Sequence, residues 1–316
     1  MAVTTTTLMP SQVQQTFIER MLSTPTPNLI HTLPCEKVLM PANGGNTARF
    51  SRYAKPDPAL VPLGNTGVTP PSTNLDRVDI DVEMQFYGAW YEINEQVSLQ
   101  NQDKVLTNHS VRAGFQLRET EDNLVRDMMA ATAAMINCLG GTNGDNPTNI
   151  TSADVSFVVQ ALLGNDAKTL ADNIEGTDKF GTGPIRSAYM ALAHTSITAD
   201  LNSVNDFLHA SKYPSQASLL PSEWGSIQNL RFFVSSDGSI TPNASANGAD
   251  VLNIFCVATE GVMMVEQDRY RSQFIYRPPI YSDPLAQNAS VAWKMAFASR
   301  IVNDAWVINM RATRNI

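Results

Sequence analysis

Strict alternation of apolar and polar residues marks one segment of the chain more clearly than any other. Residues 77–86 have the sequence RVDIDVEMQF, in which every second side chain is apolar. The apolar positions are Val78, Ile80, Val82, Met84 and Phe86. A period of two over this length predicts a β-strand with one apolar face and one acidic face. The phase changes at Tyr87-Gly88, where we expect a bulge or bend before a further strand in AWYEINEQVSL.

The preceding segment supplies a partner for this strand. Residues 35–53, CEKVLMPANGGNTARFSRY, have a β pattern interrupted by the turn signal Asn43-Gly44-Gly45. The stretch that follows contains Pro56, Pro58, Pro62, Pro70 and Pro71, so it cannot be a helix. Residues 35–100 are therefore predicted to form a long two-stranded ribbon with a proline-rich tip. Because an isolated two-stranded ribbon is marginally stable at best, this one needs a surface to lie against.

A helical period follows the ribbon. Apolar stripes recur at helical spacing from Asp103 to about Leu139, and Gly140-Gly141 is expected to end the helix. A helix of roughly 35 residues would span about 50 Å, more than a compact small domain needs, so it is predicted to serve as a spine. Asp122 and Arg126 are spaced for an i,i+4 ion pair. A second amphipathic helix is predicted from Thr151 to Leu163, with Ser152 or Asp154 at its N-terminal cap.

The rest of the chain alternates short apolar strands with loops. The strands predicted between residues 176 and 283 lie in SAYMALAHT, NLRFFVSS, VLNIFCVAT, GVMMVEQ and QFIYRPPIY. They indicate a mixed α+β module. After it, residues 291–297 and 306–310 alternate around a turn near Asn303-Asp304, which predicts a terminal hairpin packed against the spine helix. The polar, threonine- and proline-punctuated residues 1–34 are interpreted as an N-terminal arm that lies on a neighbouring surface or frays.

Composition indicates a surface that meets protein. Only 16% of the 316 residues are charged, against about 25% in ordinary soluble domains. The formal net charge is -8 and the chain has no run of Lys and Arg, which disfavours specific binding to a nucleic-acid backbone.

The sequence offers no constellation for catalysis. His31, His109, His194 and His209 lack metal-ligand spacing and are expected to be solvated or locally hydrogen-bonded. The glycine-rich stretches precede no Lys-Ser/Thr, and no G-x-S-x-G elbow occurs. We therefore predict a protein that is not an enzyme and has no cofactor or metal site. The three scattered cysteines, the polar start of the chain and the lack of an apolar run of about 20 residues predict a product made in a reducing cytoplasm, without a signal peptide or a membrane span.

The ribbon carries the candidate interface. Alternation places the acidic side chains about 7 Å apart along the strand, which suits a charged surface better than a metal cage. Arginines of the first ribbon strand are possible partners, with the register left open. The apolar and aromatic side chains are predicted to anchor the ribbon rather than stack on nucleotide bases, since no basic residues interleave with them. The predicted inter-subunit contact residues are Arg49, Arg52, Asp79, Asp81, Glu83, Met84, Phe86 and Trp90.

Five motifs, in order, carry a family resemblance. They are VLMPANGGNTARFSRY, QFYGAWYEINE, ETEDNLVRDMM, YMALAHTSITADL and LLPSEWGSIQNLRFFVS. The chain resembles the Hong Kong 97-type major capsid proteins of tailed bacteriophages, and within them the family typified by the Enquatro-like, N-four-type podophages. It departs from the family pattern at Asn94-Glu95, Thr195 and Trp224, which bears on the subfamily rather than on the fold.

The resemblance implies an α+β fold with five parts. Residues 1–34 would be the N-terminal arm, 35–100 an extended β-hairpin loop, 101–185 a peripheral domain with the spine helix, 186–285 an axial domain, and 286–316 a return to the peripheral domain. Hexamers and pentamers of this subunit would form the icosahedral head around double-stranded DNA. A portal protein would occupy one vertex, and a scaffold or decoration protein is a possible further partner. The protein would reside in the virion after assembly in the cytoplasm of the infected bacterium.

Two alternatives are compatible with the sequence. An encapsulin-like cellular compartment has the same fold, but would be encoded beside a cargo enzyme. A soluble α+β enzyme or glycan-binding protein is less favoured, because it would leave the ribbon and the spine poorly buried in a monomer.

Overall fold

The computed structural model describes residues 26–41, 43–60, 72, 74–96, 105–170, 188–213, 220, 222–268, 270–278, 285 and 287–314. Residues 1–25 of the predicted arm and residues 61–71 of the predicted ribbon tip lie outside this description. The helices are α1 (Val105–Thr132), α2 (Ser152–Gly164) and α3 (Thr198–Ser203). The strands of the first half are β1 (Glu36–Met40), β2 (Thr47–Tyr53), β3 (Arg77–Glu83), β4 (Gln85–Asn94) and β5 (Ala134–Asn137). Those of the second half are β6 (Tyr189–His194), β7 (Leu208–His209), β8 (Glu223–Ile227), β9 (Leu230–Ser235), β10 (Ile240–Thr241), β11 (Val251–Val257), β12 (Val262–Gln267), β13 (Gln273–Arg277), β14 (Asn288–Ile301) and β15 (Val307–Thr313).

Within the described residues the strands form two large sheets and one ribbon. In the first sheet, β14 pairs with β4, β12 and β13, and β12 also pairs with β1. The second sheet has the order β5-β15-β11-β6-β9-β8-β7, with β10 beside β11. Among the described strands, β2 and β3 pair only with each other. The fold is therefore of the mixed α+β class, as the sequence predicted.

Two hydrophobic cores hold the layers together. The first lies between α2 and one face of the second sheet, and the second joins α1 to the other face of that sheet and to the first sheet. Alternate residues of β11 enter the two cores, Ile254 and Cys256 the first and Phe255 and Val257 the second. Because both faces of β11 are covered, its whole sequence VLNIFCV is buried and apolar except for Asn253.

The predicted ribbon is confirmed, but it is shorter than expected. Thr47–Tyr53 and Arg77–Glu83 pair antiparallel along their whole length. The strand breaks at Met84, not at Tyr87-Gly88, because the Met84 amide donates to the carbonyl of Asn46 and its side chain turns into the interior. Beyond this point β4 leaves the ribbon and pairs with β14 of the first sheet. The earlier strand β1 also lies outside the ribbon, parallel to β12.

The spine helix is confirmed as an element, but its predicted end was wrong. It ends at Thr132, and Ala134–Asn137 forms β5, parallel to β15. The amide of Cys138 then donates to the carbonyl of Arg311. These backbone hydrogen bonds to a strand about 174 residues away in sequence outweigh the helix propensity of the alanine-rich segment. Gly140 and Gly141, with φ of 65° and 94°, form a turn after β5 and do not cap the helix.

The predicted terminal hairpin was also wrong. The two strands exist, but β14 lies in the first sheet and β15 in the second. The first of them does pack against α1, where the Trp293 indole N–H donates to Gln116 at 2.9 Å. The break at residues 302–306 carries the chain across the layers, since the amide of Ala258 in the second sheet binds the carbonyl of Trp306.

The predicted strands of the mixed module are confirmed as β6, β9, β11, β12 and β13. The second predicted helix is confirmed as α2, but its N-terminal cap is Thr151 rather than Ser152. Asp154 lies at the third helical position and completes a capping box with Thr151. Among the described helices none has the length and apolar composition to span a membrane.

Candidate assembly surface

The register of the ribbon brings the predicted charged residues together. Arg49 lies directly opposite Asp81, and its guanidinium donates to both carboxylate oxygens at 2.6 and 2.9 Å. Asp79 accepts hydrogen bonds from the Ser51 hydroxyl and the Arg77 guanidinium, each at 2.7 Å. The prediction that an arginine of β2 pairs with the acidic stripe is confirmed for Arg49. Arg77 was not singled out, although its place at the start of the alternating strand was a visible signal.

The ribbon thus neutralises much of its own acidic stripe. The hydrogen bond from Arg49 lowers the pKa of Asp81, and hydrogen bonds from Ser51 and Arg77 lower the pKa of Asp79. Both carboxylates are therefore charged at neutral pH and each is already bound to a cation of the same chain. Because all these side chains are exposed, the pairs define charge and geometry and contribute little to stability.

Two other charged residues of the predicted set, Glu83 and Arg52, form no ion pair within the described ribbon. From the described residues, Glu83 accepts a single 3.2 Å hydrogen bond, from the Asn46 side-chain amide. Arg52 lies opposite Val78, so no carboxylate faces it across the ribbon. Within the described part of the chain its guanidinium has no ion-pair partner. Among the described residues of the ribbon, Arg52 is consequently a cation that another molecule could bind.

Met84 takes a different position from the one expected. Its side chain is only 3% exposed and packs with Met40, Val82 and Val265 in a small third cluster. Phe50 of β2 packs against the same cluster. Met84 therefore ties the base of the ribbon to the first sheet of its own chain, and it does not present an anchor to a neighbour.

Phe86 and Trp90 do face outward. They are 66% and 65% exposed, on the side of β4 that points away from α1, whereas Tyr87, Ala89 and Tyr91 pack towards that helix. Gly88 lies between them, and a Cβ there would come within 2.8 Å of the Trp293 carbonyl oxygen. The strand can lie this close to β14 only with glycine at this position.

The residues that surround this aromatic pair have no signal in the sequence near β4. The ring of Tyr270 meets the edge of Phe86 at a centroid distance of 6.0 Å, and the Lys294 ammonium lies 5.2 Å from the Tyr270 ring centre. Both neighbours are about 200 residues away from β4 in sequence, so only the sheet pairing brings them here. The result is an exposed aromatic surface with a cation beside it.

The described residues include no group of three or more His, Cys, Asp or Glu side chains placed to hold a metal ion. His194 and His209 accept hydrogen bonds from the backbone two residues ahead, as expected for local bonding. For His31 that expectation was wrong, because its ring is fully buried and lies 2.6 Å from Asp122 of α1. The predicted Asp122 to Arg126 pair is likewise replaced, since Arg126 binds Asp237 at 2.7 Å.

No protein-family model and no curated protein sequence matches the chain. Solved structures do match over almost the full length. The capsid of Ralstonia phage GP4 superposes with a TM-score of 0.69 at 9% identity, covering 96% of both chains. The acidic-stable capsid of the Helicobacter pylori bacteriophage KHP30 gives 0.67 at 10% identity, covering 99% of this chain and 98% of that one. The capsid asymmetric unit of cyanophage Pam1 gives 0.66 at 12% identity, covering 96% and 97%.

These superpositions cover 96% or more of the chain and show its fold. The chain has the α+β fold of bacteriophage capsid proteins.

Proposed function

We propose that this chain is the major capsid protein of a tailed bacteriophage, and that copies of it assemble into hexamers and pentamers that form the icosahedral head around double-stranded DNA. The observation that carries the proposal is the likeness to several phage capsid structures over 96% or more of the chain. The protein acts as a structural subunit of the shell, with no catalytic step and no cofactor. It resides in the virion after assembly in the cytoplasm of the infected bacterium.

The exposed surface of a single copy supports self-assembly. The ribbon has no further strand beside it in the described chain, and Phe86, Trp90 and Tyr53 are each more than 60% exposed. Exposed large aromatic side chains of this kind are typical of protein interfaces. Because every interface recurs in each copy, modest contact energies add up over a closed shell.

We further propose that the chain follows the Hong Kong 97-type organisation, in the form typical of the Enquatro-like podophage family that its motifs resemble. In this proposal residues 1–34 are the arm, 35–100 the extended loop, 101–185 the peripheral domain, 186–285 the axial domain and 286–316 the return segment. A portal protein occupies one vertex, and a scaffold or decoration protein assists. The net charge of -8 limits adhesion of packaged DNA to the wall, so that the DNA is held by non-specific contacts.

The interface that we propose has two components. Phe86 and Trp90 are the apolar anchors, and the ribbon charges Arg49, Arg52, Asp79, Asp81 and Glu83 set the complementarity with a neighbouring copy. Met84 supports this surface from within, because it holds the ribbon base in place.

Electron microscopy of the purified protein tests the proposal. Wild-type protein is expected to form megadalton icosahedral particles, whereas the double variant Phe86→Ala with Trp90→Ala should remain soluble subunits of 34.5 kDa. The matched control, Trp90→Phe, keeps an aromatic side chain and should form shells. A wild-type protein that stays monomeric under all assembly conditions would contradict the capsid function. Normal shells from the double variant would contradict only the role of the two aromatic residues.

A further inference from the structure

A groove separates the outer half of the ribbon from the body of the molecule. It encloses about 580 Å³, and its walls come from β2 and β3 on one side and from the segments around residues 165, 260 and 303 on the other. Its apolar floor is formed by Phe50, Met263, Val302 and Trp306, all of them half-buried. The Trp306 indole is fixed by its hydrogen bond to the carbonyl of Asn165 at 3.0 Å. A volume of this size is sufficient for large side chains from a binding partner.

The charged side chains at the rim of the groove differ in whether they have an ion-pair partner. Lys55 reaches across from the ribbon to Asp166 at 3.1 Å, and Glu260 faces Lys168 at 3.8 Å. Arg52 also lines the groove and, in the part of the chain that the structure describes, has no carboxylate to bind. An occupant that presents an apolar or aromatic group together with one carboxylate would therefore complement both the floor and the rim.

The same chain presents such a combination elsewhere. On β4 the exposed side chains Phe86, Trp90 and Glu92 share one face, which we call the outer face of β4. Glu92 has no hydrogen-bond or ion-pair partner among the described residues. The outer face of β4 cannot enter the groove of its own copy, because β4 is paired with β14 along its whole length.

We propose that the outer face of β4 of one copy docks into the ribbon groove of the next copy, with its aromatic side chains on the apolar floor and Glu92 paired with Arg52. This inference rests on the proposed self-assembly and names the two surfaces that meet. They are different patches of one chain, so each copy gives one surface and receives the other. Repetition of such a heterologous contact closes a ring when the rotation between copies allows it, as in a hexamer or pentamer.

Charge reversal tests the pairing. The single variants Arg52→Glu and Glu92→Arg each place like charges in the contact, so the fraction of protein sedimenting as shells should fall about ten-fold or more. The double variant, which restores opposite charges in every copy, should recover to within about two-fold of wild type. Lys212→Glu, a matched reversal of an exposed lysine away from both surfaces, should assemble normally. Circular dichroism on the unassembled subunits verifies that each variant is folded.

Cross-linking gives a second measurement that does not depend on assembly yield. Arg52→Cys with Glu92→Cys, treated with a short bis-maleimide after assembly, should give a ladder of linked subunits on a denaturing gel. Neither single cysteine variant should do so, since Cys138 and Cys256 are buried and Cys35 is only partly exposed.

The outcomes separate the two proposals. Normal assembly of both single reversals, failure of the double variant to recover, or absence of the ladder in formed shells would each overturn the docking of β4 in the groove while leaving the capsid function intact. A wild-type protein that forms no shells would instead remove the capsid function on which the docking rests.

Discussion

Among single residues, the charged side chains of the ribbon differ in what they bind: Arg49 holds Asp81, whereas Arg52 has no ion-pair partner among the described residues. Alternation placed Asp79, Asp81 and Glu83 on one face, but an antiparallel register cannot be read from one strand. The structure pairs Arg49 with Asp81 and leaves Arg52 opposite Val78. Arg49 and Arg52 are three residues apart and so lie on opposite faces of β2. The register then decides that Arg49 faces a carboxylate and Arg52 faces a valine.

The sequence patterns did not indicate which charged residues are buried. His31 and Asp122 are 91 positions apart and form a fully buried pair, and the Asp122 carboxylate also accepts from the amide of Thr32. A neighbouring carboxylate, Glu121, is 3% exposed and binds Arg118 at 2.9 Å. Nothing in the local sequence distinguishes these two acidic residues from the exposed Glu119 beside them.

The environment of Glu121 predicts a pH effect on stability. Burial raises its pKa, the charge of Glu266 raises it further, and Arg118 and Lys37 oppose the rise. Since the folded state then holds the proton more tightly than the unfolded state, wild-type stability falls as the pH rises from about 4 through the raised pKa. Glu121→Gln binds no proton, so its stability relative to wild type should increase over that pH range. Urea unfolding of unassembled subunits at several pH values measures this, and a difference independent of pH would contradict it.

At the scale of elements, the sequence predicted where helices and strands occur better than where they end. The helical period was predicted to continue to about Leu139, yet Ala134–Asn137 forms β5 because β15 offers backbone partners. The strand break at Met84 likewise depends on which surface is available, since residues before it pair within the ribbon and residues after it pair with β14.

The capping box of α2 predicts a graded loss of stability. The Asp154 carboxylate is 2% exposed and accepts from the amides of Leu139, Gly141 and Thr151. Thr151→Ala removes a side-chain cap and should cost about 1 kcal/mol. Asp154→Ala leaves buried amides without an acceptor and should cost more, about 2–3 kcal/mol.

Urea unfolding of the unassembled subunit compares these variants. The control is Gln160→Ala on the exposed side of the same helix, for which a change within about 0.5 kcal/mol is expected. Equal losses for Thr151→Ala and Asp154→Ala would show that Asp154 does not hold the turn after β5.

At the scale of the whole molecule, the ribbon depends on a small cluster for its attachment to the body. Met84 and Val82 reach Met40, Val265 and Ala298 of the first sheet. Met84→Ala should lower the free energy of unfolding by about 2–3 kcal/mol, because it removes buried apolar contacts and leaves a cavity in this small cluster. Val78→Ala, on the ribbon but 42% exposed, should change it by less than about 0.5 kcal/mol. Similar losses for both variants in urea unfolding would mean that the cluster does not secure the ribbon.

The two sheets also show how the chain is distributed between layers. Strands β11, β12, β14 and β15 follow one another in sequence apart from β13, yet β11 and β15 lie in one sheet and β12 and β14 in the other. Apolar alternation in the last two strands is equally compatible with a hairpin, which is what the sequence predicted. The turn near Asn303-Asp304 could join two strands of one hairpin or carry the chain from one sheet to the other. The local sequence therefore does not show which of the two connections is formed.

The sequence by itself determined the ribbon strands, the spine helix, the mixed α+β class and the aromatic candidates at Phe86 and Trp90, because each depends on a local period or on residue type. Contacts between distant segments set the ribbon register, the end of α1, the burial of Met84 and the position of Arg52 in the groove, where its guanidinium has no ion-pair partner among the described residues. Each of these depends on hydrogen bonds or packing between segments far apart in the chain, where pairing energies exceed local propensities.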